Sequence, residues 1–402
     1  MDLLRRVTLL LALLVLAALA PARAGIAEAP GADLEVSLVT YGPGDIYWER
    51  FGHDAIEVRD RVSGESVNFN YGVFDFEEKN FLLNFARGRM HYMMDAEASG
   101  PEEAYYTEVG RSVTRQRLAL DADQAAHLRD DLLWNLRPQN AVYDYDYYAD
   151  NCTTRVRDAF DRALDGAVKN HLRAHAGEFT YRQQTVRLMS AQPWLMLMLD
   201  LGLGPYADQP LTAWQESFLP AVLQTQLRQV RITGPDGGSR PLVQDERVVS
   251  PNRLVPPPTS PPDLRGPLGA AGLLLAALLL AARLWWPLGY SLLGTLFLLL
   301  AGLVGVVLLG LWTLTTHHSA WANANLLLFN PLAWLLLPTQ WRARRGFAAS
   351  RFIDGLIMLQ LLALLAALAL HLLPGTVQQN QPWLLFALPC WLALAWGLRR
   401  NR

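Results

Sequence analysis

Asp150-Asn151-Cys152-Thr153-Thr154-Arg155 is the stretch on which the reading of this chain turns. Its cysteine is one of two in 402 residues, and the other, Cys390, lies in an apolar run near the C-terminus. An aromatic segment with Tyr143, Tyr145, Tyr147 and Tyr148 leads into it. After it, Val156, Phe160 and Leu164 recur four apart, which predicts a helix over 152–164 with Asp150 or Asn151 as its N-cap. Cys152 extends that apolar stripe backwards by one turn. The thiol therefore falls at a helix start on the face turned toward the domain, where unpaired N–H groups and the helix dipole favour thiolate.

Further upstream, Arg5-Arg6 precedes an apolar stretch over 7–20, and Ala22-Arg23-Ala24 precedes Gly25. This is the layout of a secretory signal peptide over 1–24, with an uncleaved anchor helix as the alternative. Both readings put the domain carrying Cys152 outside the cytoplasm, where cysteines ordinarily pair. Cys152 has no partner there, so it is either inert packing or retained because it reacts. The net charge is −2, and Lys79 and Lys169 are the only lysines. No basic patch points to nucleic acid.

Downstream, 25–250 has the mixed composition of a globular domain, and 251–267 is a proline-rich, semi-rigid linker. From 268 to 402 the composition turns apolar, in runs at 268–284, 288–314, 325–337, 353–373 and 383–398. Five membrane-crossing helices are expected, although the third run is weak. With the soluble domain outside, Arg283, then Arg342, Arg344, Arg345 and Arg351, then Arg399, Arg400 and Arg402 all fall inside. The loops assigned to the outside, 315–323 and 375–382, contain no Lys or Arg, in keeping with the positive-inside rule.

Within the soluble domain, alternation predicts strands at 35–41, 53–59 and 67–73. If the last two pair as a hairpin of suitable register, the face bearing His53 also bears Asn68 and Asn70. A thiol nucleophile, a base and a polar group that orients the base would then be available together. His53 could instead cap a turn and Asn70 satisfy a strand edge or turn, and His91 is a competing base. His127, His171 and His175 read as surface helix residues. No cluster of His, Cys and carboxylate has ligand spacing, so no metal or cofactor is expected.

Phe51-Gly52-His53-Asp54-Ala55, Asn70-Tyr71-Gly72-Val73-Phe74-Asp75-Phe76 and Asn151-Cys152-Thr153-Thr154-Arg155-Val156-Arg157-Asp158 together resemble the Lnb family of lipoprotein N-acyltransferases. The resemblance spans about 36–201 and continues in the membrane half. There, His317-His318-Ser319-Ala320-Trp321 and the stretch from Asn323-Ala324-Asn325 to Asn330-Pro331-Leu332 are similar to that family's membrane domain. The order His, polar residue, Asn-Cys also resembles the circularly permuted NlpC-type, papain-like fold. The fold class implied is an α+β papain-like extracytoplasmic domain followed by five transmembrane helices, in an inner-membrane protein facing the periplasm.

The resemblance implies Cys152 as nucleophile, His53 as base and Asn70 as the orienting group, with Asn68 a rival for that third role. Asn151, Tyr71, Tyr145 and Tyr147 are the expected substrate contacts near the thiol, with the Cys152 N–H and Tyr145 or Tyr147 as candidate oxyanion donors. His317, His318, Asn323 and Asn325 are expected to meet a lipid headgroup or lipoprotein at the outer leaflet, with interhelical hydrogen bonding as their alternative role. The implied reaction moves an acyl chain from phospholipid, through a Cys152 thioester, to the N-terminal amine of lipid-modified lipoproteins. A membrane-tethered cysteine hydrolase and a non-catalytic sensor or scaffold remain open beside it.

Overall fold

The computed structural model describes residues 25–75, 77–234, 237–344, 350–373 and 378–399. The expected signal segment lies outside them, as do Arg345, Arg400 and Arg402 of the inner charge set.

Alternating apolar residues build one seven-stranded antiparallel sheet. Its strands are β1 (Leu34–Tyr41), β2 (His53–Asp60), β3 (Ser66–Val73), β4 (His91–Ala98), β5 (Val113–Leu118), β6 (Val142–Asp144) and β9 (Val243–Ser250). They lie in the order β6-β4-β3-β2-β1-β5-β9, and β7 (Arg231–Thr233) pairs with β8 (Ser239–Pro241) in a separate hairpin. The three strands expected from alternation match β1, β2 and β3 to within a residue at each end. The helices of this half include α1 (Phe81–Arg87), α2 (Ser99–Glu108), α3 (Ala122–Asn135), α4 (Cys152–Ala163), α5 (Tyr181–Met189) and α6 (Pro193–Gly202).

One sheet face presents Val36, Leu38, Ile56, Val58 and Phe69 to Leu128 and Leu132 of α3 and Val156 and Phe160 of α4. All nine are buried, each aliphatic worth about 1.5–3 kcal/mol on transfer from water. The apolar spacing read from 152 to 164 is thus the stripe that lays α4 on the sheet. At its far end Asp165 (φ 51°) and Gly166 (φ 83°) take left-handed conformations, and the Gly166 N–H closes the helix on the Asp161 carbonyl at 2.8 Å. The opposite sheet face is polar around His53, Asn68 and Asn70, and α2 lies over it.

Beyond Ser250 the chain has no helix or strand until α7 (Arg265–Trp285), which takes up the last three residues of the expected linker. Then come α8 (Pro287–Leu314), α9 (Arg351–Leu370) and α10 (Gln381–Arg399). Among the described residues, four helices are long and apolar enough to cross a membrane, not the five expected. The third apolar run breaks into short 3-10 turns, Ala324–Leu327 and Pro331–Leu336, and the short helix Leu337–Arg344. Pro331 supplies no N–H, and the Asn330 side chain accepts from the Leu332 N–H at 3.1 Å, which starts a new turn there. The broken stretch still runs the length of α8. Asn330 packs on Gly305, Trp334 on Gly302 and Gln340 on Gly294, where any Cβ would collide. Ser291 Oγ donates to the Gln340 carbonyl at 2.9 Å near the inner end. Cys390 is fully buried in α10 and points its thiol at the Gly272 carbonyl of α7, 3.4 Å away.

Candidate active site

The thiol is placed by a helix cap. Asn151 Oδ1 accepts from the Thr154 N–H at 2.9 Å, and Thr154 Oγ1 accepts from the Asn151 N–H at 2.7 Å. Asn151 Nδ2 donates to the Tyr147 and Phe218 carbonyls, each at 3.0 Å. The side chain expected to meet substrate therefore spends its polar atoms on fixing where α4 begins. The partly buried Cys152 follows at the first helical position, against β3 at Gly72. Gly72 has φ 93°, and a Cβ there would sit 3.5 Å from Cys152 Cβ. The space would accept a methyl group; the backbone conformation would not.

His53 comes from the first position of β2. Ala55 pairs with Asn70 and Glu57 with Asn68, so His53 and both asparagines share a face, as alternation anticipates. Asn70 Oδ1 lies 2.8 Å from His53 Nε2, while Asn70 Nδ2 donates to Glu102 Oε2 at 3.1 Å. The Glu102 carboxylate can only accept, so it orients the amide with its oxygen toward the ring. Nε2 must then carry the proton and donate, leaving Nδ1 as the basic nitrogen. Asn68 stands one step back, donating to Glu102 Oε2 at 2.8 Å and to the Tyr41 hydroxyl at 3.0 Å. Tyr41 lies nearly parallel to His53, with ring centroids 6.0 Å apart. Of the two asparagines, Asn70 touches the imidazole.

Imidazole and thiol are close enough for each to shift the other's ionisation. Burial opposes charge on each, yet their mutual attraction overcomes it. Cys152 is held below the usual thiol range, and His53 rises to about 9, with Asn70 and Glu102 assisting. A thiolate–imidazolium pair at neutral pH is the consequence. Asp54, on the other face of β2, is fully buried, and its Oδ1 accepts from Thr40 Oγ1 at 2.7 Å. Its second oxygen has no hydrogen-bond partner among the described residues, and burial pushes the carboxyl up to about 7. When ionised it opposes the Cys152 thiolate.

The other expected contacts divide into two groups. Tyr145 stays beside the thiol, its ring 4.0 Å from the position of a Gly72 Cβ and centred 4.3 Å from Tyr92. Tyr147 meets Tyr145 edge-on and stacks on His317, both at 6.0 Å. Tyr71 points the opposite way, into the core, and donates to Asn135 Oδ1 at 2.9 Å. His91 is exposed and 2.9 Å from Glu78 Oε1.

The outer-loop residues fasten the two halves of the molecule together. His317 Nε2 is 3.0 Å from the Phe85 carbonyl, and His318 Nε2 is 3.4 Å from Asp146 Oδ2. Asn323 Nδ2 lies 3.0–3.1 Å from the carbonyls of Leu201, Gly202 and Leu203 at the end of α6. Asn325 Nδ2 donates to the Leu201 carbonyl at 3.0 Å and its Oδ1 accepts from Asn380 at 2.9 Å. Beside them, the buried Arg182 of α5 bonds Asp208 at 2.7 Å and Asp200 at 3.1 Å. Those carboxylates in turn accept from the Gln379 N–H (3.0 Å) and the Trp383 indole (2.8 Å) of the membrane half.

Sequence reasoning missed Glu102, Tyr41 and Asp54. Asp54 carries a legible signal, since alternation places it on the same face as Ile56 and Val58. Glu102 carries none, because nothing local to α2 says which strand it will cover. Among the described residues no group of three or more His, Cys, Asp or Glu could hold a metal ion.

Residues 22–192 match the family model of the Lnb N-terminal periplasmic domain, and residues 263–396 match that of the Lnb transmembrane domain. No curated protein and no solved structure matches the chain.

Proposed function

The chain belongs to the Lnb family, as a membrane protein with an N-terminal periplasmic part, and from that premise we propose that it is a thiol acyltransferase. It takes an acyl chain from a phospholipid and passes it to the N-terminal amine of a lipid-modified lipoprotein. The observation that carries this reading is the hydrogen-bonded order Glu102–Asn70–His53 ending at a depressed thiol. In chain order the strands bearing His53 and Asn70 precede the helix bearing Cys152, which supports the permuted papain-like reading of the domain.

In the first half-reaction the Cys152 thiolate attacks the ester carbonyl. The carbonyl oxygen gathers negative charge against the Cys152 N–H, which has no partner within α4 at that position. As the C–O bond breaks, the imidazolium of His53 gives its proton to the departing lyso-phospholipid alkoxide. Neutral His53 then accepts a proton from the lipoprotein α-amine as that amine attacks the thioester. Cleavage of the C–S bond returns the thiolate beside the imidazolium, with the amide as product. Tyr145 walls the thiol against water, which would otherwise compete with the amine.

The test uses cells lacking their own N-acyltransferase and expressing either the intact chain or Cys152→Ala. Mass spectrometry of lipoprotein N-termini should show an added amide-linked acyl group with the first alone. Free N-termini in both, with expression and folding verified, would reject the lipoprotein acceptor and leave a hydrolase.

A further inference from the structure

Helix α1 is a short helix with an uncovered apolar side. Leu82 is 79 % exposed, Leu83 46 % and Phe85 42 %, three large apolar side chains within four residues, and Leu82 is the most exposed of the large hydrophobics among the described residues of this domain. Exposed cationic residues flank it, with Lys79 before and Arg87 and Arg89 after. Three acidic residues, Asp75, Glu77 and Glu78, precede Lys79; Asp75 accepts from the Glu77 N–H, and Glu78 is engaged by Asn84 and His91. An apolar side framed by cations is the pattern of a helix lying in a bilayer interface.

Its location points the same way. The Arg87 carbonyl accepts from the Thr316 N–H at 2.8 Å, and the Phe85 carbonyl lies 3.0 Å from His317 Nε2. Gly88, in left-handed conformation, lets Thr316 and His317 come so close that any Cβ would collide. Residues 315–317 directly succeed the outer end of the membrane-crossing α8, where Leu314 is itself 78 % exposed. Helix α1 is thus fastened by its backbone carbonyls to the segment that leaves the end of α8.

From α1 a row of rings leads inward. Phe81 stacks with Phe74 (centroids 6.0 Å apart), Phe74 with Tyr92 (5.1 Å), and Tyr92 meets Tyr145 (4.3 Å) beside Cys152. We propose that α1 dips Leu82, Leu83 and Phe85 into the outer leaflet, and that a phospholipid acyl chain reaches Cys152 along the row Phe81, Phe74, Tyr92 and Tyr145. The interfacial placement stands on the geometry alone; the delivery of an acyl chain rests on the acyltransferase reading above.

Two measurements on the full chain in lipid nanodiscs separate these parts. In the first, Leu82→Cys carrying an environment-sensitive fluorophore, in a Cys152→Ala, Cys390→Ala background, is compared with Val62→Cys at the exposed β2–β3 turn. The label at 82 should be quenched by doxyl-labelled phospholipid and spared by aqueous iodide, and the label at 62 the reverse. Iodide quenching at 82 equal to that at 62, without doxyl quenching, overturns the interfacial helix.

In the second, Leu82→Asp with Leu83→Asp in the otherwise native chain is given phospholipid in the bilayer or a water-soluble short-chain ester. Thioester formation from bilayer lipid should fall roughly tenfold or more, while the soluble ester reacts at the unaltered rate. An undiminished rate from bilayer lipid overturns the delivery route. If no ester of either kind acylates even the native chain, the acyltransferase reading fails and takes the route with it, while the quenching result still decides the placement of α1.

Discussion

The thiol site and the outer-loop seam are both dense in His and Asn, and they use those residues in opposite ways. At the seam every side-chain polar atom of Asn323 and Asn325 is matched to a backbone or side-chain partner, and both residues are buried. At the thiol site the hydrogen bonds run in series from Glu102 through Asn70 to His53, and the row ends beside a sulfur held ionisable mainly by the imidazole. A closed network holds two bodies together; an open-ended one holds a reactive atom ready. Residue type alone does not distinguish them, but what the row ends beside does.

The comparison breaks most sharply with substitutions at its reactive end. Cys152→Ala should lower acyl transfer by about 10⁴-fold or more, and His53→Ala by roughly 10²–10⁴-fold, each with an unchanged melting temperature, by single-turnover assay and thermal unfolding. The same assay in Arg182→Ala should show the converse. Two buried carboxylates lose their shared cation, costing about 3–5 kcal/mol of stability, which a lowered melting temperature would report.

Matched asparagines sharpen the contrast. Asn70→Ala frees the imidazole to swing and should cost about 10²-fold in rate. Asn323→Ala, which abandons the α6 carbonyls, should cost about 1–3 kcal/mol in unfolding and leave reaction with a soluble ester intact. Equal rate losses in the two would dissolve the distinction between site and seam.

His53 and Asn70 were legible because period-two alternation fixes the face on which each side chain lies, and β2–β3 form in the register that alternation demands. The start of α4 was legible from Asn151 and the four-residue spacing behind it. Glu102 was not, since nothing in the sequence of α2 says that it will cover β3. The polar residues of the outer loop announced that something must satisfy them, without saying whether ligand or protein would. The run at 325–337 was legible as apolar but not as irregular. Its apolar composition reads as a spanning helix, while Asn330-Pro331 interrupts the backbone ladder and glycines of α8 accept the resulting irregular chain.

Acidity provides the subtler tests. Transfer needs imidazolium to protonate the leaving alkoxide, so the pH–rate profile should fall as pH rises through about 9, the value to which His53 is raised. Asp54 acts on stability. Its carboxyl is raised to about 7 in the folded chain, so ionisation opposes folding; that penalty is absent at low pH and complete above about 7. Asp54→Asn should therefore raise the melting temperature at pH 8 by about 2–4 °C, and by less at pH 5.5. An equal gain at both values would mean that the carboxyl is not neutral in the fold.

The central claim is that Cys152 carries the acyl chain. Its most direct test is intact mass spectrometry of the purified chain in nanodiscs containing phospholipid of a single acyl composition, without acceptor. The account predicts one added acyl mass, mapped to Cys152, removed by hydroxylamine, and absent in both Cys152→Ala and His53→Ala. An acyl adduct that persists in Cys152→Ala, or lipid consumed by the native chain with no adduct at any time point, would contradict it.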